Sequence, residues 1–156
     1  MSESPGGESR WTGRRQARAA ALQALYECEV GRLGLSEALG VLDRVGEPDA
    51  AALDAADRAF AETLARGVLA DVGALDERLA QAALHWRVER MATLDRLVLR
   101  MAVHEWLALP ETPPRVVINE AIELARAFSG EDAARFVNGV LDGVFRALKA
   151  EGRVVE

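Results

Sequence analysis

Residues 114–149 read PRVVINEAIELARAFSGEDAARFVNGVLDGVFRALK, and this stretch decides the fold class. Its apolar side chains recur every three or four residues, which is the spacing of one buried face of an α-helix. Pro114 suits the first turn of a helix, and Ser129-Gly130 breaks the pattern. The sequence therefore predicts one helix that starts at Pro114 and another over about residues 131–149. Their buried faces are predicted to consist of Val117, Ala121, Leu124, Ala125 and Phe128 in the first helix and Val137, Leu141, Val144 and Leu148 in the second.

The same spacing continues towards the N-terminus and predicts five more helices. The first covers about residues 13–30, with a buried face formed by Leu22, Leu25, Tyr26 and Val30. The others are a short helix capped by Ser36 and ending near Gly46, a long one opened by Pro48-Asp49 and ended by Gly73, one over about residues 75–84, and one over about residues 93–107 with Thr93 as its N-cap. Short breaks between helices favour side-by-side packing, so the predicted fold is all-α, a compact bundle of about seven helices.

Composition supports this fold class and bounds the domain organisation. Alanine (29 residues) and leucine (20 residues) make up nearly a third of the 156 residues, and only 5% are aromatic, which excludes an all-β fold. A chain of this length is expected to form one domain. Residues 1–9 have no large apolar side chain beyond Met1. We therefore predict a flexible N-terminal tail over residues 1–11, a single helical domain over residues 12–150 and a C-terminal tail over residues 151–156.

The net charge of −6 argues against a nucleic-acid binder when it is taken as an average. Residues 10–18, however, contain four arginines and no acidic residue, which gives this segment a charge of +4. The single cysteine, Cys28, forms no intramolecular disulfide, and the sequence has neither an apolar signal segment nor a run of about 18 apolar residues. We therefore expect a cytoplasmic protein that does not enter a membrane.

The sequence offers little for catalysis. His104-Glu105 resembles the start of the HExxH zinc motif, but Ala108 occupies the position of the second histidine. Cys28 lies in an apolar helical stretch, so we predict an inert core residue rather than a nucleophile paired with His85 or His104. The sequence contains no glycine-rich phosphate loop and no paired-carboxylate signature. We expect no enzyme activity, no cofactor and no metal site.

The arginines of the first helix are a stronger candidate for a functional site. Arg14, Arg15 and Arg18 share one flank of its opening turns. Positive charge there opposes the helix dipole at about 0.3–1 kcal/mol per residue, so stability alone does not favour it. One interpretation is a polyanion-binding surface, and the other is a solvated charged face, since 18 of the 19 basic residues are arginine. Trp11 lies between Arg10 and Arg14, and an exposed indole can stack on an unpaired base.

A second unusual feature is the pair of glycines in the last predicted helix, Gly139 and Gly143. Each costs about 1 kcal/mol relative to alanine, which indicates that another backbone or a ligand comes close. Close helix packing is the simpler interpretation. Asn138, an amide among apolar neighbours, is predicted to form an internal hydrogen bond rather than to contact a base.

Three blocks of the sequence resemble the NusB family of transcription antitermination factors. They are RRQAR at residues 14–18 followed by LQALY at 22–26, VINEAIELA at 117–125, and FVNGVLD at 136–142. The blocks keep the family's order and spacing over about residues 12–148, and the last two are the more specific. The resemblance implies an all-helical fold of two packed helical subdomains.

The resemblance also implies a function in which no reaction is catalysed. Proteins of this family bind the single-stranded boxA segment of nascent RNA together with the ribosomal protein that doubles as NusE. The pair joins the elongating RNA polymerase with other Nus factors and suppresses premature termination, notably on ribosomal RNA operons. An RNA surface needs only a local positive field, and the acidic remainder of this chain suits a basic ribosomal protein.

Position by position, the resemblance assigns residues to two surfaces. The family's arginine-rich motif falls on Arg14, Arg15 and Arg18, with Gln16 where a further basic residue often occurs. A second RNA-contacting region falls on Asp132, Arg135 and Phe136, and a contact that is aromatic in some members falls near Ala83, which has no ring. The NusE-facing surface falls on Tyr26, Glu89 and Asp95. Arg10 and Trp11 join the RNA surface on grounds of charge and stacking alone.

Two alternatives keep the fold and change the function. The same helical domain occurs as the N-terminal RNA-binding module of an RNA cytosine methyltransferase, and that enzyme requires a cofactor-binding α/β domain after residue 156. Some family members form homodimers, so the other alternative is a homodimeric helical adaptor, and a homodimer is also one expected state of the free protein.

Overall fold

The computed structural model describes residues 13–40 and 53–155. In these residues it has seven α-helices and no strand, which confirms the predicted all-α fold class. The helices are α1 (Gly13–Glu29), α2 (Leu35–Leu39), α3 (Ala55–Ala70), α4 (Val72–Ala82), α5 (Thr93–Ala108), α6 (Pro114–Ser129) and α7 (Glu131–Ala150), and a 3-10 turn covers Val88–Arg90. None of the helices in the described ranges is long and apolar enough to cross a membrane. The predicted tail at residues 1–11 lies outside the described residues.

The chain divides into two compact units, residues 1–66 and residues 67–156, and the division falls inside α3. In the unit of residues 67–156, α5 packs against α4, α6 and α7, and α7 also packs against α4 and α6. The core of this unit contains leucines that are at most 2% exposed, namely Leu75, Leu79, Leu97, Leu99, Leu124, Leu141 and Leu148. In the unit of residues 1–66, α1 packs against α2.

The α6–α7 pair forms as the sequence predicts. Pro114 is the first residue of α6, where a backbone N–H would have no partner within the helix. Gly130 ends α6 with a φ of +94°, which glycine adopts without strain, and its N–H donates to the carbonyl of Arg126. The predicted buried positions of both helices are buried except Phe128, which is 39% exposed.

The predicted bounds of α2 are wrong. Ser36 lies inside the helix and does not cap it. Gly34 precedes α2 instead, and its N–H donates to the carboxylate of Glu37 over 3.3 Å. The helix ends at Leu39 rather than near Gly46, which lies outside the described residues.

The predicted start of α3 is also wrong, and a hydrogen bond within the chain sets the observed start. The helix begins at Ala55, because the carboxylate of Asp54 accepts a hydrogen bond of 2.8 Å from the N–H of Asp57 and so acts as the N-cap. The predicted start at Pro48-Asp49 lies outside the described residues. The helix ends three residues before Gly73, which lies in the first turn of α4.

Neither α4 nor α5 begins with a side-chain cap. α4 starts at Val72, three residues before the predicted position, and ends at Ala82. Thr93 is the first residue of α5 and not its N-cap, a place held by Ala92. The predicted cap at Thr93 therefore placed the start of α5 one residue too late, while the apolar spacing located both helices.

Alanine contributes more to the buried face of α1 than the predicted large side chains do. Leu22 and Leu25 are buried, but Tyr26 is 37% exposed and Val30 is 49% exposed, so the predicted stripe is wrong at its C-terminal half. The fully buried small residues of this helix are Ala17, Ala20, Ala21 and Ala24. A face made of methyl groups lets neighbouring atoms approach the helix backbone closely.

The segment that follows α7 is held against the unit of residues 67–156. Arg78 on α4 donates two hydrogen bonds, of 2.6 and 2.8 Å, to the carboxylate of Glu151. Val154 is only 7% exposed. The contacts attach the C-terminal residues to the helices of this unit.

A buried histidine on α5 packs closely against Gly67 on α3 in the same unit. His104 on α5 is 5% exposed, and its imidazole lies where a Cβ on Gly67 would be, with Nε2 at 2.1 Å from that position. Burial lowers the pKa of His104, and the opposing effect of Asp71 is smaller, with Nδ1 and Oδ2 3.8 Å apart. The ring therefore stays neutral at neutral pH and fills a space that only glycine leaves open.

We expect Gly67→Ala to lower the free energy of unfolding by about 1–3 kcal/mol, because the added methyl group would overpack a closed site. Gly73→Ala is the matched control, since nothing lies within 4 Å of its Cβ position. The control should gain up to about 1 kcal/mol from helix propensity. Thermal unfolding followed by circular dichroism measures both variants, and equal shifts in the two would contradict the close approach.

Candidate nucleic-acid interface

Arg14 lies exposed in the first turn of α1 and is held by the start of α3. Its Nη1 is 2.8 Å from a carboxylate oxygen of Asp57 and also donates to the carbonyl of Ala56 over 3.2 Å. Its guanidinium lies 4.4 Å from the centroid of the Phe60 ring. The side chain remains 46% exposed, so a phosphate can still reach it.

The other two arginines of the motif are less accessible. Arg18 is 5% exposed, and its guanidinium lies 5.1 Å from the Phe60 ring centroid. Arg15 is half-buried and takes part in an interaction within the protein. The expectation that stability does not favour these arginines is therefore wrong for Arg14 and Arg18, because both pack on an aromatic ring in the unit of residues 1–66.

The remaining sequence-predicted positions near this motif give no exposed cation among the described residues. Gln16 is 9% exposed and so lies with the buried face of α1. Arg10 and Trp11 lie outside the described residues. The exposed charge in the opening turns of α1 is carried mainly by Arg14, with a smaller contribution from Arg15.

A groove of about 520 Å³ lies in the unit of residues 67–156. It brings together the start of α7, the start of α5 and the loop that precedes the 3-10 turn. The lining residues are Trp86, Arg90, Met91, Ala92, Asp95, Ser129, Asp132, Ala133 and Phe136. Three of them, Asp95, Asp132 and Phe136, were predicted to be functional from the sequence.

Two aromatic rings form one wall of this groove. Trp86 and Phe136 pack edge to face, with centroids 5.5 Å apart and an interplanar angle of 78°. Trp86 is 57% exposed. Ala83, near which the resemblance places a contact that is aromatic in some members, has no ring, but Trp86 supplies a ring three residues further on. The sequence signal was a tryptophan in a break between helices, where no buried face requires it.

Asp95 lies half-buried in the first turn of α5, on the groove. Among the described residues, none donates a hydrogen bond to its Oδ1, which is closed off from solvent. Burial raises the pKa of this carboxyl, since the charged form has lost water without gaining a partner. No pattern in the sequence indicated this environment.

Asp132 and Arg135 form an ion pair at the rim of the groove, in the first turns of α7. Their side chains are 97% and 70% exposed. An exposed pair of this kind stabilises a helix little, so both groups remain available to a ligand. They lie next to Phe136 on the same helix.

The chain is similar to known proteins over most of its length. The family model described as "NusB family" matches residues 15–146. The transcription antitermination protein NusB of Citrifermentans bemidjiense is 41% identical over 139 residues, which cover 85% of this chain and 94% of that protein. The corresponding protein of Symbiobacterium thermophilum is 43% identical over 139 residues, with 87% and 91% covered. The chain belongs to the NusB family.

Solved structures of the family share the fold. NusB of T. maritima superposes with a TM-score of 0.74 at 30% identity, covering 86% of this chain and 92% of that chain. A structure described as the antitermination factors NusB and NusE in complex with dsRNA has a TM-score of 0.75 at 23% identity, covering 86% and 96%. At that lower identity the second likeness shows the fold alone.

The residues that the NusB resemblance assigns to a protein partner lie on three different elements, α1, the 3-10 turn and α5. Tyr26 is 37% exposed on α1, in the unit of residues 1–66. Glu89 lies in the 3-10 turn with its side chain 66% exposed, 3.0 Å from the guanidinium of Arg87. A hydrogen bond from its own backbone, and then Arg87, lower the pKa of Glu89, so it remains ionised. Asp95 lies instead on the groove with Asp132 and Phe136.

The block of NusB-like sequence on α7 is more exposed than predicted. Asn138 is exposed, so the prediction of a buried amide is wrong. Gly143 lies 3.2 Å, measured from its Cβ position, from the Cβ of Ala82, which confirms close packing there. Gly139 has no atom within 4 Å of its Cβ position, so packing against the described residues does not explain it.

The side chains considered for catalysis show no organised site among the described residues. Cys28 is half-buried rather than in the core. Burial, and to a lesser degree Glu27, raise the pKa of its thiol, which favours the protonated, unreactive form. Within residues 13–40 and 53–155, no group of three His, Cys, Asp or Glu side chains is placed to hold a metal ion.

We expect Asp95→Asn to raise the melting temperature at pH 7. The pKa of Asp95 is higher in the folded protein than its ordinary value of 3.8. Ionisation of this carboxyl therefore lowers the stability of the folded state at neutral pH, and protonation at low pH removes this loss of stability. The gain should therefore shrink as the pH falls towards about 4. Asp132→Asn removes the same charge from an exposed side chain and should give no increase. A lower melting temperature for Asp95→Asn at pH 7 would contradict this account of the carboxyl.

Proposed function

We propose that this chain acts in transcription antitermination by binding single-stranded boxA-type RNA of nascent ribosomal transcripts. In the proposed complex it acts together with the ribosomal protein NusE and joins the elongating RNA polymerase with other Nus factors. The observation that carries the proposal is the groove between α5 and α7, where the rings of Trp86 and Phe136 lie beside the ion pair of Asp132 and Arg135. No chemical step is part of this function.

Two kinds of contact are combined in the proposal. Arg14, Arg15 and Arg135 supply positive charge for phosphates, which gives affinity without sequence preference. The groove supplies rings and polar groups for bases that are splayed out of a single strand. The relatives named as transcription antitermination proteins, and the solved complex of NusB and NusE with dsRNA, support a role in RNA binding.

Asp57 competes with RNA for Arg14 in this proposal. The carboxylate lies 2.8 Å from Nη1 and is 14% exposed, so it already neutralises part of the charge that a phosphate would meet. Burial of the pair is only partial, and the Arg14 side chain can exchange partners without unfolding α1. The position of Asp57 therefore tunes the affinity of the arginine-rich motif.

The first test is the salt dependence of RNA binding. With three phosphate contacts from Arg14, Arg15 and Arg135, log affinity should fall with log salt at a slope of about −2, since each single-strand contact contributes about 0.7. Arg14→Gln should flatten the slope by about 0.7 and weaken binding. Asp57→Asn should tighten binding, because it removes the competing carboxylate and leaves the arginine in place.

Arg66→Gln is the matched control for these measurements. Arg66 lies on α3 with its side chain 60% exposed and an ion pair of 4.0 Å to Glu62. The control removes the same charge at a position outside the proposed surface. Filter binding with a boxA-type RNA measures all variants, and equal losses for Arg14→Gln and Arg66→Gln would show that only net charge matters.

The second test concerns the protein partner. Glu89 is exposed and ionised, so Glu89→Lys should weaken binding of the basic protein NusE by about 5- to 10-fold, mainly through slower association. Glu62→Lys makes the same charge change on α3 and should have little effect. Biolayer interferometry gives both rate constants. Unchanged association for Glu89→Lys would place the partner surface elsewhere.

A further inference from the structure

We propose that a basic cleft between α6 and α7 holds one backbone phosphate of RNA that continues past the boxA-type segment. The cleft has a volume of about 180 Å³ and lies in the unit of residues 67–156. The proposal rests on the RNA-binding function above and adds a phosphate site to it. The basic residues of the cleft are Arg115, Arg146 and Lys149, and the family resemblance assigns none of them to RNA or to a protein partner.

Contacts from α5 fix both walls of the cleft. The indole N–H of Trp106 donates to the carbonyl of Pro114, the first residue of α6, over 3.1 Å. The same indole packs on the ring of Phe145 on α7, with centroids 5.6 Å apart. Pro114 and Phe145 both line the cleft, and the rings of Trp106 and Phe145 are buried. The cleft is therefore shaped before a ligand arrives, which reduces the entropy lost on binding.

The charges of the cleft favour an anion. Its lining has three cations and one carboxylate, that of Asp142, although the chain as a whole carries a net charge of −6. Asp142 lies 3.1 Å from the guanidinium of Arg146, and the two side chains are 59% and 73% exposed. An exposed i,i+4 pair contributes only about 0.3–0.5 kcal/mol, so a phosphate can replace the carboxylate as the partner of Arg146.

The size of the cleft suits a single phosphate group. Pockets that enclose drug-sized ligands usually have volumes of about 300–1,000 Å³, so this cleft is too small for a whole nucleotide or cofactor. Guanidinium groups bind phosphate through paired N–H donors, and an ammonium group adds a compact positive charge.

The lining favours a phosphodiester over an acidic segment of a protein. Protein interfaces depend on aromatic or aliphatic anchors that fill desolvated pockets. Phe145 offers little apolar surface for such an anchor, because its ring is 8% exposed and the guanidinium of Arg115 lies 5.8 Å from its centroid. The ribosomal protein NusE is basic, so its charge also disfavours this cleft.

The exposed face of α7 connects the groove to the cleft. Arg135, Asp142 and Arg146 are spaced by seven and four residues, so they share one face of the helix, and all three are exposed. Gly139 lies on this face between them and has no atom within 4 Å of its Cβ position. At 1.5 Å per residue, Arg146 lies about 16 Å along the helix from Arg135. An RNA strand that leaves the groove beside Arg135 therefore has an open path to the cleft.

The experiment compares a short boxA-type RNA with the same RNA lengthened by unstructured nucleotides at its 5′ end or at its 3′ end. Binding to the unaltered chain and to Arg146→Glu is measured by fluorescence anisotropy at several salt concentrations. Arg66→Glu is the matched control, since Arg66 is also an exposed arginine with a carboxylate four residues before it and the end of its helix four residues after it. Circular dichroism establishes that each variant is folded.

The expected result is that one of the two extensions tightens binding to the unaltered chain and steepens its salt slope by about 0.7. The gain from that extension should shrink about 2- to 3-fold when the salt concentration rises from about 50 to about 200 mM. Arg146→Glu should remove the gain and the added slope, and Arg66→Glu should keep both. The short RNA should bind Arg146→Glu nearly as well as the unaltered chain, because the cleft lies beyond the screening length of about 10 Å at 0.1 M salt.

Asp142→Asn tests the competing carboxylate. It removes the partner of Arg146 and leaves the cations of the cleft in place, so it should tighten binding of the extended RNA. The affinity for the short RNA should stay the same. Equal or weaker binding of the extended RNA by this variant contradicts the phosphate site.

The outcomes separate this inference from the proposed function. If the unaltered chain does not bind the short RNA, the proposed function fails. If it binds and neither extension tightens binding, or if Arg146→Glu and Arg66→Glu lose affinity equally, RNA binding stands and the phosphate site is overturned. If a glutamate-rich peptide binds the unaltered chain but not Arg146→Glu, and neither extension has an effect, the cleft belongs to an acidic protein segment and the inference is likewise overturned.

Discussion

The buried face of α7 is the constraint on which the rest of the candidate site depends. Val137, Leu141, Val144 and Leu148 are at most 1% exposed, and they fix the rotation of this helix against α4, α5 and α6. Once that face is buried, the first turns of α7 place Asp132 and Phe136 at the edge of the unit. The same packing brings the start of α5 alongside, so the groove follows from the core that holds the helices together.

Arginine has structural uses throughout this chain, and its frequency is therefore a poor measure of affinity for nucleic acid. Arg100 is 8% exposed and donates two hydrogen bonds, of 2.8 and 2.9 Å, to the carboxylate of Asp76. Arg96 is also buried and donates to the carbonyl of Met91 over 2.9 Å. Arg18 is buried against Phe60 in the other unit. The planar guanidinium suits such sites because it forms directed hydrogen bonds and packs on aromatic faces.

Periodicity predicted the α6–α7 pair and its core because both depend on spacing within a short stretch of chain. Periodicity does not locate helix ends that depend on one local hydrogen bond. The start of α3 was predicted at Pro48, whereas the cap formed by Asp54 places it at Ala55. The groove could not be predicted, since Trp86 and Asp95 meet Phe136 only after three separate segments pack. Burial of Arg18 was missed for the same reason, because an arginine beside other arginines is interpreted as a surface residue until Phe60 is placed against it.

Local features that reduce stability lie near the start of α5 and in the first half of α7. The Asp95 carboxyl has lost solvent without gaining a donor, and Gly139 weakens a helix whose surroundings would accept a side chain. Elsewhere in this unit a close contact is accommodated by the packing itself, since Gly67 has no side chain and leaves space for the ring of His104. A site that must bind another molecule keeps groups unpaired and rings uncovered until the ligand arrives, so folding alone does not optimise it. The exposed ring of Trp86 on the groove meets that description, which is why the groove rather than the arginine-rich helix is expected to contact bases.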